Sequence, residues 1–189
     1  MIRIGIIGDI GSGKTFVANN FGYPVFNADY EVGLLYKKDK NIFVQLNKKL
    51  PKFILSFPVK KSEIVDAILS DKKNLKKIIN IVHKEIRKKL NLFLKKNRNS
   101  KIVILDIPLL IENKINNKND ILIFVDSKKK DIEKKIKKRS NFNIKILNIF
   151  RKVQLNPSFK KRKSHFVIKN TFVKKPVKIE IKKILNKIL

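Results

Sequence analysis

The chain has 189 residues, enough for one well-packed domain with a small appended lid and too few for two full domains. It has no cysteine, which excludes a disulfide framework and a thiolate metal site, and its strand-sized apolar runs, with an apolar start that leads directly into a glycine-rich stretch, predict neither a membrane span nor a signal peptide, hence a cytoplasmic protein. A formal charge of +31 would suit a phosphate-rich partner, but the excess is almost all lysine spread along the chain, whereas base-edge and bidentate phosphate contacts favour arginine; a solvated surface with no specific nucleic acid partner is expected.

Ile2 to Ile7 read as a buried strand, and the residues after it, Gly8-Asp9-Ile10-Gly11-Ser12-Gly13-Lys14-Thr15, fit the phosphate-binding pattern G-x-x-x-x-G-K-[ST] at every fixed position. The glycines let the backbone wrap a polyphosphate with its N–H groups turned inward, and the following helix aims its positive end at the same charge. The backbone from Asp9 through Phe16 is therefore expected around a triphosphate, with Lys14 on the outer phosphates and the Thr15 hydroxyl on the magnesium ion that accompanies ATP. A glycine turn with a chance lysine is the bland alternative.

Tyr23 to Asp29 read as a short second strand delivering Asp29 beside the phosphate loop, where open parallel sheets do their chemistry. Residues 30–69 are helical in pattern, interrupted by Pro51 and Pro58. From Asp71 to about Leu94, Leu75, Ile78, Ile79, Val82, Ile86, Leu90 and Phe93 recur every three or four residues, predicting one long amphipathic helix. Ile102 to Leu105 is a continuous apolar run ending at Asp106, and Ile121 to Val125 ends likewise at Asp126; both read as central parallel strands with a carboxylate at the catalytic end. Ser127 is a candidate cap for a helix reaching Arg139, and Ile146, Leu147, Phe150 and Val153 mark another helix. Phe166 to Ile168 read as the last strand, and Pro176 as the opening of a terminal helix. Strands alternating with helices predict a doubly wound, mostly parallel α/β sheet.

These residues resemble the dephospho-coenzyme A kinase family of P-loop kinases over nearly the whole chain. The resemblance rests on the phosphate loop, on Asn27-Ala28-Asp29 against the family's Asp-Ala-Asp, on His83-Lys84-Glu85-Ile86-Arg87 against His-Pro-x-Ile-Arg, and on Pro108-Leu109-Leu110-Ile111-Glu112 against Pro-Leu-Leu-x-Glu. Arg139, Gln154, Lys160 and Asn170 fall where the family carries an arginine, a glutamine, a lysine and an asparagine. The resemblance implies a single P-loop kinase domain over residues 1–189, with a helical acceptor-binding region at about 30–95 and a small helical lid at about 139–163. It also implies ATP-dependent phosphorylation of the ribose 3′-hydroxyl of dephospho-coenzyme A, with ATP and Mg2+ required and the enzyme a monomer or weak homo-oligomer.

Within that resemblance Asp29 orients the acceptor hydroxyl, Lys14 and Arg139 stabilise the transferred charge, and Asn170 lies near the adenine. Lys160 and Arg162 assist from the far side of the lid. His83, Arg87, Pro108, Leu109 and Glu112 border the acceptor, and Asp106 is a second candidate for magnesium. Simpler readings remain beside these: a helix cap for Asp29, a structural turn for Asp106, a packed histidine for His83, a surface pair for Arg87 and a helix C-terminal cation for Arg139. Asn27, Gly33, Lys84, His165 and Phe172 depart from the family pattern and bear on acceptor affinity or identity. A nucleoside or nucleotide acceptor, and a nucleic-acid-binding P-loop ATPase, are the other functional readings.

Overall fold

The computed structural model describes residues 1–138 and 142–189. In chain order the elements are β1 (Ile2–Gly8), α1 (Lys14–Ala18), β2 (Val25–Asn27), α2 (Ala28–Lys38), α3 (Lys40–Lys49), α4 (Lys61–Ser70), α5 (Lys73–Lys96), β3 (Ile102–Asp106), β4 (Ile121–Asp126), α6 (Lys129–Lys137), α7 (Ile144–Val153), α8 (Pro157–Lys163), β5 (Phe166–Lys169) and α9 (Lys174–Ile188). They divide into two compact units: a sheet unit of Met1–Asn27, Asn97–Phe142 and Arg151–Leu189, and a helical unit of Ala28–Lys96 and Asn143–Phe150.

In the sheet unit the five strands run in the order β2-β3-β1-β4-β5 with every pairing parallel. Parallel register brings the strand ends out along one edge, so Gly8 lies opposite Val125 and Asn27 opposite Asp106. The apolar run of β3 is buried at every position, as a strand covered on both faces must be. On one face Val177, Ile181 and Ile184 of α9 join Val17, Ala18 and Phe21 against Ile4, Ile6, Ile104 and Ile123. That three-and-four spacing is why the terminal segment is a helix. It starts at Lys174 rather than Pro176, which sits at the third helical position where no backbone donor is needed. The connection from β3 to β4 is a series of turns, so the expected alternation of strand and helix breaks there.

In the helical unit the long amphipathic pattern forms one helix, α5, burying Leu75, Ile78, Val82, Ile86 and Leu90. It packs against α2, α3 and α4, and Lys89 on α5 pairs with Glu31 on α2 at 3.0 Å. Asp39 separates α2 from α3 by capping: its carboxylate accepts from the N–H groups of Asn41 (2.9 Å) and Ile42 (3.2 Å). Glu63, in the first turn of α4, holds the chain that precedes the helix, accepting from the N–H groups of Leu55, Ser56 and Lys60 and from the Ser56 hydroxyl. Burial raises its pKa, but these hydrogen bonds outweigh that and hold the carboxyl below the ordinary glutamate value. Among the described residues no helix is long and apolar enough to cross a membrane.

Candidate active site

The phosphate loop leaves the buried end of β1 and runs directly into α1, the context its spelling requires. Gly11 and Gly13 hold φ of 81° and 86°, in the left-handed region that favours glycine. Space demands glycine as well, because a Cβ on Gly11 would stand 2.6 Å from the Ile136 side chain of α6. One on Gly13 would meet the Asn170 amide and come within 2.8 Å of the Phe172 ring. The Lys14 ammonium lies over the loop, donating to the carbonyls of Asp9 at 2.8 Å and Gly8 at 3.4 Å. Asp9 braces its own turn, its carboxylate accepting from Ile10 N–H at 2.7 Å, and Phe16 packs partly into the core. The Ser12 hydroxyl is buried with no hydrogen-bond partner among the described residues, a polar atom that a phosphate oxygen would satisfy.

At the foot of the loop the Thr15 hydroxyl donates to the Asp106 carboxylate at 2.6 Å, and the Asn27 amide donates to the same oxygen at 2.8 Å. Asp106 is 4% exposed. The apolar strand followed by aspartate therefore places its carboxylate on the loop threonine. An acid at position 27 would have set two carboxylates side by side there, whereas the amide supplies a neutral donor.

Three residues of the sheet unit that lie far along the chain hold the loop from outside. Asn170 is 3% exposed, and its amide donates to Ser12 C=O at 2.8 Å while its oxygen accepts from Phe172 N–H. Ser127 is not the helix cap expected of it; α6 begins after Lys128, and the Ser127 hydroxyl reaches the carbonyls of Ser12 (2.8 Å) and Asn170 (3.1 Å). Lys160, on α8, is 2% exposed and donates to Gly8 C=O at 3.2 Å and to Glu112 at 3.3 Å. Glu112 in turn accepts from Leu155 N–H at 3.1 Å. The Pro108-Leu109-Leu110-Ile111-Glu112 stretch thus forms the turn after β3, with Leu109 at φ 57° and Glu112 committed to Lys160.

Phe172 adopts φ 60°, which rationalises a glycine preference there; its ring lies against Gly13 and carries Lys135 Nζ at 5.2 Å from the centroid. His165 works at the opposite edge of the sheet, where its Nδ1 accepts from Leu122 N–H at 2.9 Å and its own N–H donates to Leu122 C=O, extending the β4–β5 pairing. Gln154 is half-buried just after α7, and Arg162 is exposed on α8.

The remaining described site residues belong to the helical unit. Asp29 is exposed in the first turn of α2, because the chain turns helical at Ala28 and β2 ends at Asn27, two residues earlier than the sequence implied. His83 is half-buried on α5; burial, and then the neighbouring Arg87 charge, hold its pKa below the usual histidine value. Arg87 and Lys84 are exposed on the same helix, which runs unbroken through Lys84, and Gly33 is exposed on α2. Arg139 lies outside the described residues.

The family model for dephospho-CoA kinase matches residues 2–175. The dephospho-CoA kinase of Wolbachia sp. subsp. Brugia malayi (strain TRS) is 31% identical over 188 residues, covering 97% of this chain and 96% of that protein. That of Rickettsia typhi (strain ATCC VR-144 / Wilmington) is 34% identical over 171 residues, covering 89% and 87%. Among solved structures, a Thermus thermophilus protein aligns with a TM-score of 0.81 at 25% identity, over 100% of this chain and 98% of its own. A Bacteroides thetaiotaomicron shikimate kinase, at TM-score 0.55 and 9% identity, over 99% of this chain and 98% of its own, shares the fold alone. A complete phosphate loop, a strand-end aspartate on its threonine and a family match along most of the length place this chain in the dephospho-CoA kinase family.

Proposed function

We infer that this protein transfers the γ-phosphoryl group of ATP to the ribose 3′-hydroxyl of dephospho-CoA, giving CoA and ADP. The observation that carries the reading is the Thr15–Asp106 bond of 2.6 Å at the foot of a complete phosphate loop, in a chain of this family. Phosphoryl transfer asks of a protein in-line positioning, charge neutralisation and a group that orients the attacking hydroxyl. The loop N–H groups and Lys14 meet the first two demands on the ATP side, Lys14 exchanging its loop carbonyls for phosphate oxygens.

Asp29 takes the third demand. It accepts the proton of the ribose hydroxyl as that oxygen attacks the γ-phosphorus, and the bond to the β–γ bridging oxygen breaks to release ADP. Its position two residues beyond Asn27, itself in register with Asp106, supports this. A magnesium ion bound with ATP neutralises phosphate charge. One hydroxyl and one carboxylate, completed by phosphate oxygens and water, suit its all-oxygen preference, and Thr15 and Asp106 would hold it.

His83 and Arg87 are assigned to the acceptor. His83 enters neutral near pH 7, as a hydrogen-bonding group, and Arg87 supplies charge to an acceptor phosphate. Pro108 and Leu109 border the same substrate, and Arg139, in the lid segment at 139–163, is assigned to the charge in transfer. The protein works in the cytoplasm as a monomer or weak oligomer, without a specific nucleic acid partner.

A coupled ATP-consumption assay across dephospho-CoA, nucleosides, nucleoside monophosphates and RNA tests the reading. Turnover with dephospho-CoA alone is expected. Stimulation by RNA that collapses with salt would overturn it in favour of a nucleic-acid-dependent ATPase. Asp29→Asn is expected to cut kcat by roughly 10²–10⁴-fold with ATP affinity retained; unchanged turnover rejects its role.

A further inference from the structure

The two ends of the phosphate loop are held by their carbonyl oxygens. At the entrance Gly8 C=O accepts from Lys160 at 3.2 Å, and at the exit Ser12 C=O accepts from the Asn170 amide at 2.8 Å and lies 2.8 Å from the Ser127 hydroxyl. The C=O and the following N–H of a trans peptide point in opposite directions within one plane. Anchoring Gly8 C=O therefore aims Asp9 N–H the other way, and anchoring Ser12 C=O does the same for Gly13 N–H.

Both anchors are themselves tied down. Lys160 is 2% exposed and paired with Glu112, whose carboxylate also takes Leu155 N–H. Asn170 is 3% exposed, its own N–H donates to Asp126 C=O at 2.7 Å, and its side-chain oxygen is taken by Phe172 N–H at 2.8 Å. A buried ammonium is tolerated only where it is paired, and a buried amide only where it is hydrogen-bonded, so both side chains are bound to these partners rather than turned toward a base.

We propose that Lys160 and Asn170, with Ser127, are positioning residues that orient the N–H groups at the two ends of the phosphate loop and so set its affinity for the triphosphate independently of the nucleobase. This deepens the kinase reading, on which it rests, and gives Asn170 and Lys160 tasks other than adenine contact and lid closure.

Binding of inorganic tripolyphosphate, ATP and GTP by calorimetry tests it, alongside kcat and KM for ATP and GTP. Asn170→Asp removes the donor with little change of shape. Lys160→Met combined with Glu112→Gln removes the ammonium without stranding a buried carboxylate. Each is expected to weaken all three ligands by the same factor, about tenfold, raising KM more than it lowers kcat and leaving the ATP-to-GTP preference unchanged. Lys160→Arg, which restores a donor, is expected to recover part of the loss.

Ser127→Ala takes away one hydroxyl from a half-buried position and keeps the test open if a buried variant fails to fold; about threefold weaker tripolyphosphate binding is expected. Unchanged tripolyphosphate affinity in the folded variants, or a shifted ATP-to-GTP preference in Asn170→Asp, overturns the proposal. Tripolyphosphate binding needs no acceptor. A chain that binds it as described yet phosphorylates nothing overturns the kinase reading and leaves this inference standing.

Discussion

The sheet unit and the helical unit use polar side chains in opposite ways. In the first, Ser127, Lys160 and Asn170 converge on the backbone of one short loop, and buried Asp106 receives that loop's threonine. In the second, buried Asn74 serves only a helix junction, donating to Ala67 C=O at 2.9 Å, while Asp29 and Arg87 stand on exposed helical surface. A triphosphate is the same in every ATP and is gripped by main chain, whose direction side chains must guard. An acceptor differs from enzyme to enzyme and is met by side chains, which can change without disturbing the packing beneath them.

The sharpest way to break this contrast is to disturb the loop's backbone. Gly11→Val forces a β-branched residue into φ 81° and against Ile136, and is expected to abolish measurable ATP binding and to cost about 3 kcal/mol of stability, read by calorimetry and thermal unfolding. Retained ATP affinity would mean that main-chain geometry does not set the grip. On the other side, Ile86→Ala empties a position 3% exposed in α5 and should cost about 2–4 kcal/mol in denaturant unfolding while leaving tripolyphosphate affinity within about twofold. A matching fall in affinity would show the two units to be one energetic system.

The smallest effect is expected from His83→Gln. The unfolded imidazole takes up its proton near 6.5, whereas the folded one resists until lower pH. Between those values the unfolded state holds more protons, so the native protein loses stability as pH falls through that window and then levels off. His83→Gln should flatten that portion of a stability-versus-pH curve. An unchanged curve would mean that His83 titrates alike in both states.

Features written in contiguous residues were legible in the sequence. The β1–loop–α1 unit, the apolar run of β3 and the three-and-four spacing of α5 each declare themselves within a window of twenty or so residues. The segment between β3 and β4 carries no helical stripe, and its apolar residues belong to a compact turn series in which Ile115 N–H returns to Leu110 C=O. Asn156 and Pro157, a cap and a first-turn proline, are the local signals that open α8. Lys160 and Asn170 stood out in the sequence only through the family resemblance, and nothing in their neighbouring residues signals that they support the loop. Lys160 looks like its neighbours until the fold buries it, and Asn170 reaches a carbonyl 158 positions away in sequence.

Lysine dominates the chemistry of this surface, yet Lys160 is sealed beneath the phosphate loop at 2% exposure. Exhaustive acetylation by an amine-directed reagent, with ATP present to shield Lys14, should more than cancel the +31 charge without reaching that strut. With only the arginines, Lys14 and Lys160 left to oppose the carboxylates, the product would be a net-acidic protein that is expected to keep its grip on the nucleotide, which separates solubility and stickiness from catalysis by reagent rather than by mutation.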